Sequence, residues 1–187
     1  NSPFKFEYDR QIWEPLNYDK SFSAPVPLFF ALKESMNVPT ARLAIDVGLG
    51  DIISMARELG VHSQLKEYPS LSLGAFELKP MEVLQVYNTI SQMGVKKDLQ
   101  IVKFVKNQRG DILYQHEYQS SQIGKPEDFA VLVGMMKETL ISGTGQATRL
   151  MGFNHFAAGK TGTTSDTKDA WFAGFTPFHT AVTWVGY

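Results

Sequence analysis

The residues with the most evident chemical potential form one short run in the last third of the sequence. Lys160, Thr161 and Gly162 are followed at once by Thr163 and Thr164. The lysine brings a cation, the threonines bring hydroxyl groups, and the glycine leaves the backbone open to close approach. Because β-branched residues favour extended structure, the run predicts a strand that binds a ligand.

A second candidate cluster is formed by Ser35 and Asn37. The apolar residues before it follow helical spacing, and Pro39 suits the first position of a new helix, so the cluster is predicted to join two helices. The structural alternative is that Ser35 and Asn37 only cap these helices. The Lys160 triplet further along the chain favours the functional interpretation.

The strand that carries Lys160 is predicted to be the first of three. Residues 170–176 and 180–187 are rich in aromatic and β-branched side chains, and Pro177 and His179 mark a turn between them. This order predicts three consecutive antiparallel strands.

The remaining sequence contains both helical and extended patterns. Residues 4–8 alternate apolar and charged side chains, which predicts a half-buried strand. Helices are predicted to begin near Val26, at Pro39, directly after Asp51 as a cap, at Pro80 and at Pro126, with a β-hairpin over residues 101–118. Because helices come first and antiparallel strands follow, the fold class is α+β.

The composition argues against several classes of partner. The 187 residues carry a formal net charge of −1 without a basic stripe, so no nucleic acid is expected as a partner. The sequence lacks cysteine, and its four histidines show no ligand spacing, so neither a metal site nor another cofactor is expected.

Taken together, the Ser-x-Asn, the long helical stretch and the Lys-Thr-Gly on a strand resemble the penicillin-binding protein and serine β-lactamase fold. The similarity is greatest to the transpeptidase domain of bifunctional (class A) penicillin-binding proteins. Four stretches carry it: WEPLNY at 13–18, ALKESMNVP at 31–39, PSLSLGA at 69–75 and KTGTTSDTKDAWFAGFTP at 160–177.

The resemblance implies a domain over residues 1–187 that combines an antiparallel sheet with helices. Relative to the family, this domain is expected to be truncated at both ends, without the upstream Ser-x-x-Lys segment and without the C-terminal helix. In the family, the serine of that motif attacks a D-Ala-D-Ala peptide or a β-lactam to form an acyl-enzyme. The amine of a second stem peptide then resolves the acyl-enzyme, which cross-links peptidoglycan.

The resemblance also assigns roles to the two clusters. Ser35 would relay the proton between the nucleophile and the leaving nitrogen, Asn37 would hold the substrate amide, and Lys160 would supply positive charge beside Ser35.

On the strand, the threonines are expected to bind the substrate. The hydroxyls of Thr161 and Thr163 would bind its terminal carboxylate, with Thr164 next to them. The Thr163 N–H would donate to the oxyanion, and Gly162 would leave room for the substrate.

The nucleophile itself is expected to lie upstream of residue 1. The three Ser-x-x-Lys matches in the chain fall in unsuitable contexts, because a working pair needs both side chains on one face of a helix. Ser2 and Lys5 are predicted in a strand, Ser63 and Lys66 in a loop, and Ser165 and Lys168 in a turn between strands. The 187 residues are therefore expected to be inactive alone.

Two other functions remain open on the sequence. One is a non-enzymatic β-lactam sensor or scaffold domain, and the other is a serine β-lactamase relative, although Met36 is not the aspartate common there. The expected location of the parent protein is the outer face of the cytoplasmic membrane, which is periplasmic in a Gram-negative cell. An exposed sheet edge also predicts self-association of the 187-residue chain.

Overall fold

The computed structural model describes residues 1–164 and 168–186 of the chain. Prolines start two of its α-helices and its 3-10 helix, and glycines follow several helices. The helices are α1 (Leu28–Lys33), α2 (Asn37–Val47), α3 (Leu49–Leu59), α4 (Pro80–Ser91), α5 (Pro126–Ser142) and α6 (Ala147–Leu150), with a 3-10 helix over Pro69–Leu73. In this described part, no helix is both long and apolar enough to cross a membrane.

The strands are all paired in antiparallel fashion. They are β1 (Phe6–Tyr8), β2 (Gln11–Trp13), β3 (Val95–Lys97), β4 (Phe104–Lys106), β5 (Ile112–Gln115), β6 (Ser120–Gln122), β7 (Ala158–Thr163), β8 (Asp169–Phe175) and β9 (Thr180–Gly186). Strand β1 pairs with β2, β3 with β6 and β4 with β5, while β7, β8 and β9 form one sheet in that order. The predicted α+β class and the three consecutive antiparallel strands are confirmed.

The hydrophobic core lies between this sheet and the two long helices α4 and α5. Ala158 of β7 is opposite Phe175 of β8, and both are buried against Ile90 of α4 and Met136 of α5. Helix α1 packs on α5, which in turn packs on β7. This stacking brings the end of α1 close to the strand that carries Lys160.

Three predicted helix starts are wrong by two or three residues, and the first of them is that of α1, which begins at Leu28 instead of Val26. Helix α2 begins at Asn37 instead of Pro39, because the side chain of Asn17 accepts a hydrogen bond from the Val38 N–H and caps the helix from outside. Helix α3 begins at Leu49, directly after Gly48, so Asp51 lies in its first turn instead of capping it. The predicted starts of α4 at Pro80 and α5 at Pro126 are correct.

The ribbons β1–β2 and β3–β6 differ from the sequence-based expectation. Trp13 belongs to β2 and the polar residues Ser120–Gln122 form β6, and neither segment was predicted as a strand. These strands are three residues long, too short to show alternation. The β3–β6 ribbon depends on contacts distant in sequence, such as the hydrogen bond from the Gln122 side chain to the Met93 carbonyl at 3.0 Å.

Candidate active site

Lys160 and Ser35 lie 125 positions apart in the sequence and meet where the segment after α1 approaches β7. The Lys160 Nζ donates a hydrogen bond to the Ser35 Oγ at 2.7 Å and another to the Thr161 carbonyl oxygen at 3.0 Å. Ser35 is exposed and Lys160 is half-buried. The serine hydroxyl is thus open to solvent while its position is fixed by the amine.

The backbone of Ser35 is held in an unusual conformation. Its φ is +56°, in the left-handed region that favours glycine, where an ordinary side chain costs about 1 kcal/mol. The Ser35 N–H donates to the Leu32 carbonyl and the Met36 N–H to the Ala31 carbonyl, which is the hydrogen-bond pattern of a Schellman C-cap. Local strain of this kind is typical of functional positions.

The carboxamide of Asn37 is oriented by the segment that follows β2. Its Nδ2 donates to the Leu16 carbonyl oxygen at 2.8 Å, and the residue is half-buried at the first position of α2. Asn37 therefore is not the N-cap of this helix, a position that Met36 takes without a side-chain hydrogen bond. Within the described residues, the Asn37 Oδ1 has no hydrogen-bond partner, so it can accept one from a ligand.

Asn17 supports the start of α2, although no sequence pattern marks it as a site residue. It is 5% exposed, donates to the Ser21 carbonyl at 2.8 Å and accepts from the Val38 N–H at 3.1 Å. The signal available in the sequence was its place in the WEPLNY stretch, directly after Leu16, whose carbonyl binds Asn37.

The environment of Lys160 changes its acidity. Burial lowers its pKa from the ordinary 10.5 to about 8, because the charged ammonium is partly removed from water. At neutral pH the group is therefore still mostly protonated, but it loses its proton within a mildly alkaline range.

The threonines of β7 lie next to this pair. Thr161 and Thr163 share one face of the strand, because side chains alternate along it, and Thr163 is exposed. The Thr161 hydroxyl lies 2.6 Å from the Thr144 hydroxyl. The Thr164 Oγ1 accepts a hydrogen bond from the Asp169 N–H at 3.0 Å and thus helps to fix the start of β8.

Gly162 lies opposite Trp171 of β8. A Cβ built at this position would lie 3.3 Å from the Trp171 Cβ, the nearest atom among the described residues. A side chain here would therefore press against Trp171, whereas the glycine leaves room for it.

The Ser63 and Lys66 match is not a nucleophile pair in this structure. Both residues lie outside the helices, and the Ser63 Oγ donates to the Glu82 carboxylate at 2.6 Å. Burial raises the pKa of Glu82, but hydrogen bonds from Ser63 and from the Lys79, His62 and Ser63 backbone N–H groups outweigh it and lower the pKa to about 2. A carboxylate this acidic is a poor base for activating a serine.

Of the other two Ser-x-x-Lys matches, the structure describes both residues of only one, Ser2 and Lys5, and these do not form a helical pair. Ser2 and Lys5 lie in an irregular segment before β1; the Ser2 hydroxyl accepts from Arg42 at 3.2 Å, and Lys5 forms an ion pair with Glu14. Ser165 lies outside the described residues, so the expectation that Ser165 and Lys168 lie in a turn between strands stays a prediction.

The comparison with protein families identifies the chain. The model of the penicillin binding protein transpeptidase domain matches residues 1–187. The chain belongs to this transpeptidase family. The expected resemblance to the class A penicillin-binding proteins is confirmed, since the similar curated proteins are penicillin-binding proteins 1A and 1B.

Two of these relatives indicate the extent of the similarity. The transpeptidase-family chain is 34% identical over 175 residues to penicillin-binding protein 1B of Vibrio cholerae, covering 93% of this chain and 22% of that protein. It is 36% identical over 179 residues to penicillin-binding protein 1B of Escherichia coli, covering 94% and 21%. The chain thus spans about a fifth of the length of these relatives.

Solved structures share the fold of this transpeptidase-family chain. Penicillin-binding protein 1A of Haemophilus influenzae matches with a TM-score of 0.92 at 19% identity, over 100% of this chain and 34% of that one. The PonA1 protein of Mycobacterium tuberculosis, solved in complex with penicillin V, matches with a TM-score of 0.81 at 20% identity, over 97% and 52%.

Proposed function

We propose that these residues are the part of a peptidoglycan D,D-transpeptidase that binds stem peptides and β-lactams and shuttles the proton of a serine acyl-transfer reaction. The contact between the Lys160 Nζ and the Ser35 Oγ at 2.7 Å carries this proposal. It links two motifs 125 positions apart in a chain whose whole length matches a transpeptidase family.

The proposed reaction needs a proton to move from the attacking serine to the departing amine. The Ser35 hydroxyl can accept one proton and pass on its own, because it is exposed and a hydroxyl both donates and accepts. The adjacent Lys160 ammonium keeps the local potential positive and stabilises the negative charge that develops in the transition state. The Asn37 carboxamide holds the peptide bond of the donor strand.

The substrate's terminal carboxylate is proposed to bind to the hydroxyls of Thr161 and Thr163, with Thr164 at the edge of this site. The Thr163 N–H contributes to the oxyanion hole, as backbone donors do in acyl-transfer enzymes. Gly162 is proposed to let the substrate approach the backbone of β7 closely, because it carries no side chain.

The acylated serine is proposed to lie outside these 187 residues, in a longer protein that acts at the outer face of the cytoplasmic membrane. Among the described residues, neither Ser2 nor Ser63 lies one helical turn before its lysine. The length of the relatives, of which this chain spans about a fifth, is consistent with this proposal.

Labelling with a fluorescent penicillin tests the proposal. The 187-residue chain alone is expected to show no covalent band after denaturing electrophoresis, whereas the longer protein is expected to label. A covalent band on the short chain would refute the account of the nucleophile, and peptide mapping would then identify the acylated serine.

Substitutions in the longer protein test the roles of the two central residues. Ser35→Ala and Lys160→Ala are each expected to lower the acylation rate by about 100-fold or more, as losses of proton-transfer groups do. Ser54→Ala on α3 and Lys106→Ala on β4 are the matched controls, because both positions are exposed and outside the site. Unchanged acylation with Lys160→Ala would mean that the lysine is only structural.

A further inference from the structure

Residues 142–145, from the last residue of α5 into the loop before α6, connect the two halves of the candidate site. On one side the Thr144 N–H donates to the Lys33 carbonyl oxygen at 3.1 Å, at the last residue of α1. The Lys33 Nζ in turn donates to the Ser142 Oγ at 2.9 Å. On the other side the Thr144 Oγ1 lies 2.6 Å from the Thr161 Oγ1. Thr144 therefore joins the helix that precedes Ser35 to the strand of Lys160.

Two glycines make this close approach possible. A Cβ at Gly143 would lie 2.4 Å from the Lys33 carbonyl oxygen, and a Cβ at Gly145 would lie 2.6 Å from the Leu140 side chain. Both glycines are buried, whereas Thr144 between them is exposed. The Gly-Thr-Gly sequence thus lets the loop pack closely while the Thr144 hydroxyl faces β7. It therefore does more than end helix α5.

The hydroxyl pair has a defined capacity for hydrogen bonding. Each threonine hydroxyl carries one proton, and one of the two protons lies between the oxygens of Thr144 and Thr161. The other proton is left to donate outward. If the pair is arranged so that Thr144 donates to Thr161, the Thr161 proton points to the ligand and becomes a stronger donor through cooperativity.

We infer that Thr144 is a positioning residue for carboxylate binding, which orients the Thr161 hydroxyl towards the terminal carboxylate of the stem peptide or β-lactam. This inference rests on the proposed function, because it assumes that Thr161 binds that carboxylate. Thr144 acts through Thr161 and has no separate contact with the reacting atoms. Its effect therefore appears in the affinity of the complex before acylation, with little effect on the rate of the acylation step.

The test measures penicillin acylation of the longer protein over a range of penicillin concentrations, which separates the dissociation constant of the initial complex from the acylation rate constant. Thr144→Val, which keeps the shape and removes the hydroxyl, is expected to weaken the initial complex by roughly 3- to 10-fold, as the loss of one hydrogen bond does. The acylation rate constant should change by less than about 2-fold, and Thr144→Ser should restore the affinity.

A double substitution distinguishes action through Thr161 from a general structural effect. In a Thr161→Val background, adding Thr144→Val should weaken the complex no further, since the orienting contact is already lost. Thr148→Val is the matched control, because among the described residues the Thr148 hydroxyl bonds the Gly145 carbonyl and not Thr161, and it should leave the affinity unchanged.

The outcomes separate this inference from the proposed function. If the unmodified protein is acylated but Thr144→Val binds penicillin normally, or if the effects of the two substitutions multiply, the role of Thr144 is refuted and the proposed function stands. If the unmodified protein is not acylated by penicillin, both are refuted.

Discussion

At the scale of single residues, Ser35 shows a conflict between stability and chemistry. It occupies the position of a Schellman C-cap where glycine is preferred, with a φ of +56°. A serine at this position is less stable than a glycine, yet only the serine supplies the hydroxyl that meets Lys160. The strain at Ser35 is thus consistent with selection for function over stability.

The substitution Ser35→Gly is expected to separate these two effects. Compared with Ser35→Ala, which removes the hydroxyl but keeps the strain, Ser35→Gly should be more stable by about 1 kcal/mol in the free energy of unfolding. Both variants should lose penicillin acylation equally in the longer protein. Chemical denaturation and the labelling assay measure the two quantities, and equal stabilities of the two variants would show that the backbone of Ser35 is not strained.

The pKa of Lys160 leads to a pH dependence. If the positive charge of Lys160 supports acylation, the second-order acylation rate should fall as the pH rises through about 8, where burial has placed this pKa. The measurement is the acylation rate between pH 6 and pH 10 in the longer protein. In Lys160→Ala the remaining acylation rate should be low and should not fall near pH 8. If the fall near pH 8 persists in this variant, another group causes it.

Deprotonation of Lys160 cannot lower the acylation rate by unfolding the protein. Because the pKa is lower in the folded chain than the ordinary 10.5, the unfolded chain binds more protons between about pH 8 and pH 10.5. The contribution of Lys160 to the free energy of unfolding therefore increases with pH in this window. A thermal denaturation series over the same pH range separates a loss of activity from a loss of structure.

At the scale of elements, two glycines of β7 have different roles despite being three positions apart. A Cβ at Gly159 would lie 2.9 Å from the Ala173 carbonyl oxygen and 3.0 Å from the Gly174 Cα, both of which belong to the backbone of β8. At Gly162 the nearest atom would be the Trp171 Cβ, at 3.3 Å. A side chain at Gly159 would thus collide with the backbone of β8, whereas among the described residues one at Gly162 would press only on the Trp171 side chain.

The pair Gly159→Ala and Gly162→Ala tests this difference. Gly159→Ala should lower the free energy of unfolding by about 2 kcal/mol, because it forces the backbones of β7 and β8 apart. Gly162→Ala should cost less than about 1 kcal/mol in stability, because its methyl group presses on a side chain, Trp171, instead of on the backbone. It should still reduce acylation if the proposed close approach of the ligand to β7 needs a glycine here. Denaturation midpoints and labelling rates measure both, and normal acylation in folded Gly162→Ala would contradict the proposed role of Gly162.

The same elements show which parts of the fold could be predicted from the sequence. Helices α4 and α5 and the strands β7 to β9 were predicted because their signals are local, such as Pro80, Pro126 and runs of strand-forming residues. The start of α2 was missed because its cap comes from Asn17, twenty-one positions before Val38. The contact of Thr144 with Thr161 was missed for the same reason, since no local pattern encodes which hydroxyl faces a distant strand.

At the scale of the whole molecule, the three-stranded sheet has two outer strands, β7 and β9. The second of these presents Trp184 and Val185 with exposed fractions of 47% and 68%, and within the described part of the chain no strand pairs with its outer edge. An exposed apolar strand edge is a template for pairing with another chain. A separate apolar surface is formed by the β4–β5 hairpin and the segment before it, where Ile101 is 91% exposed.

The 187-residue chain is therefore expected to associate in a concentration-dependent way, which light scattering would detect as an increase in average mass. Val185→Lys, which places a charge on the outer strand, should reduce this association because a second strand could pair there only by burying the charge. Ile101→Lys makes the same change on the hairpin side and should have little effect. If Ile101→Lys reduces association while Val185→Lys does not, the hairpin is the contact surface instead of the sheet edge, and a monomer at every concentration would contradict both.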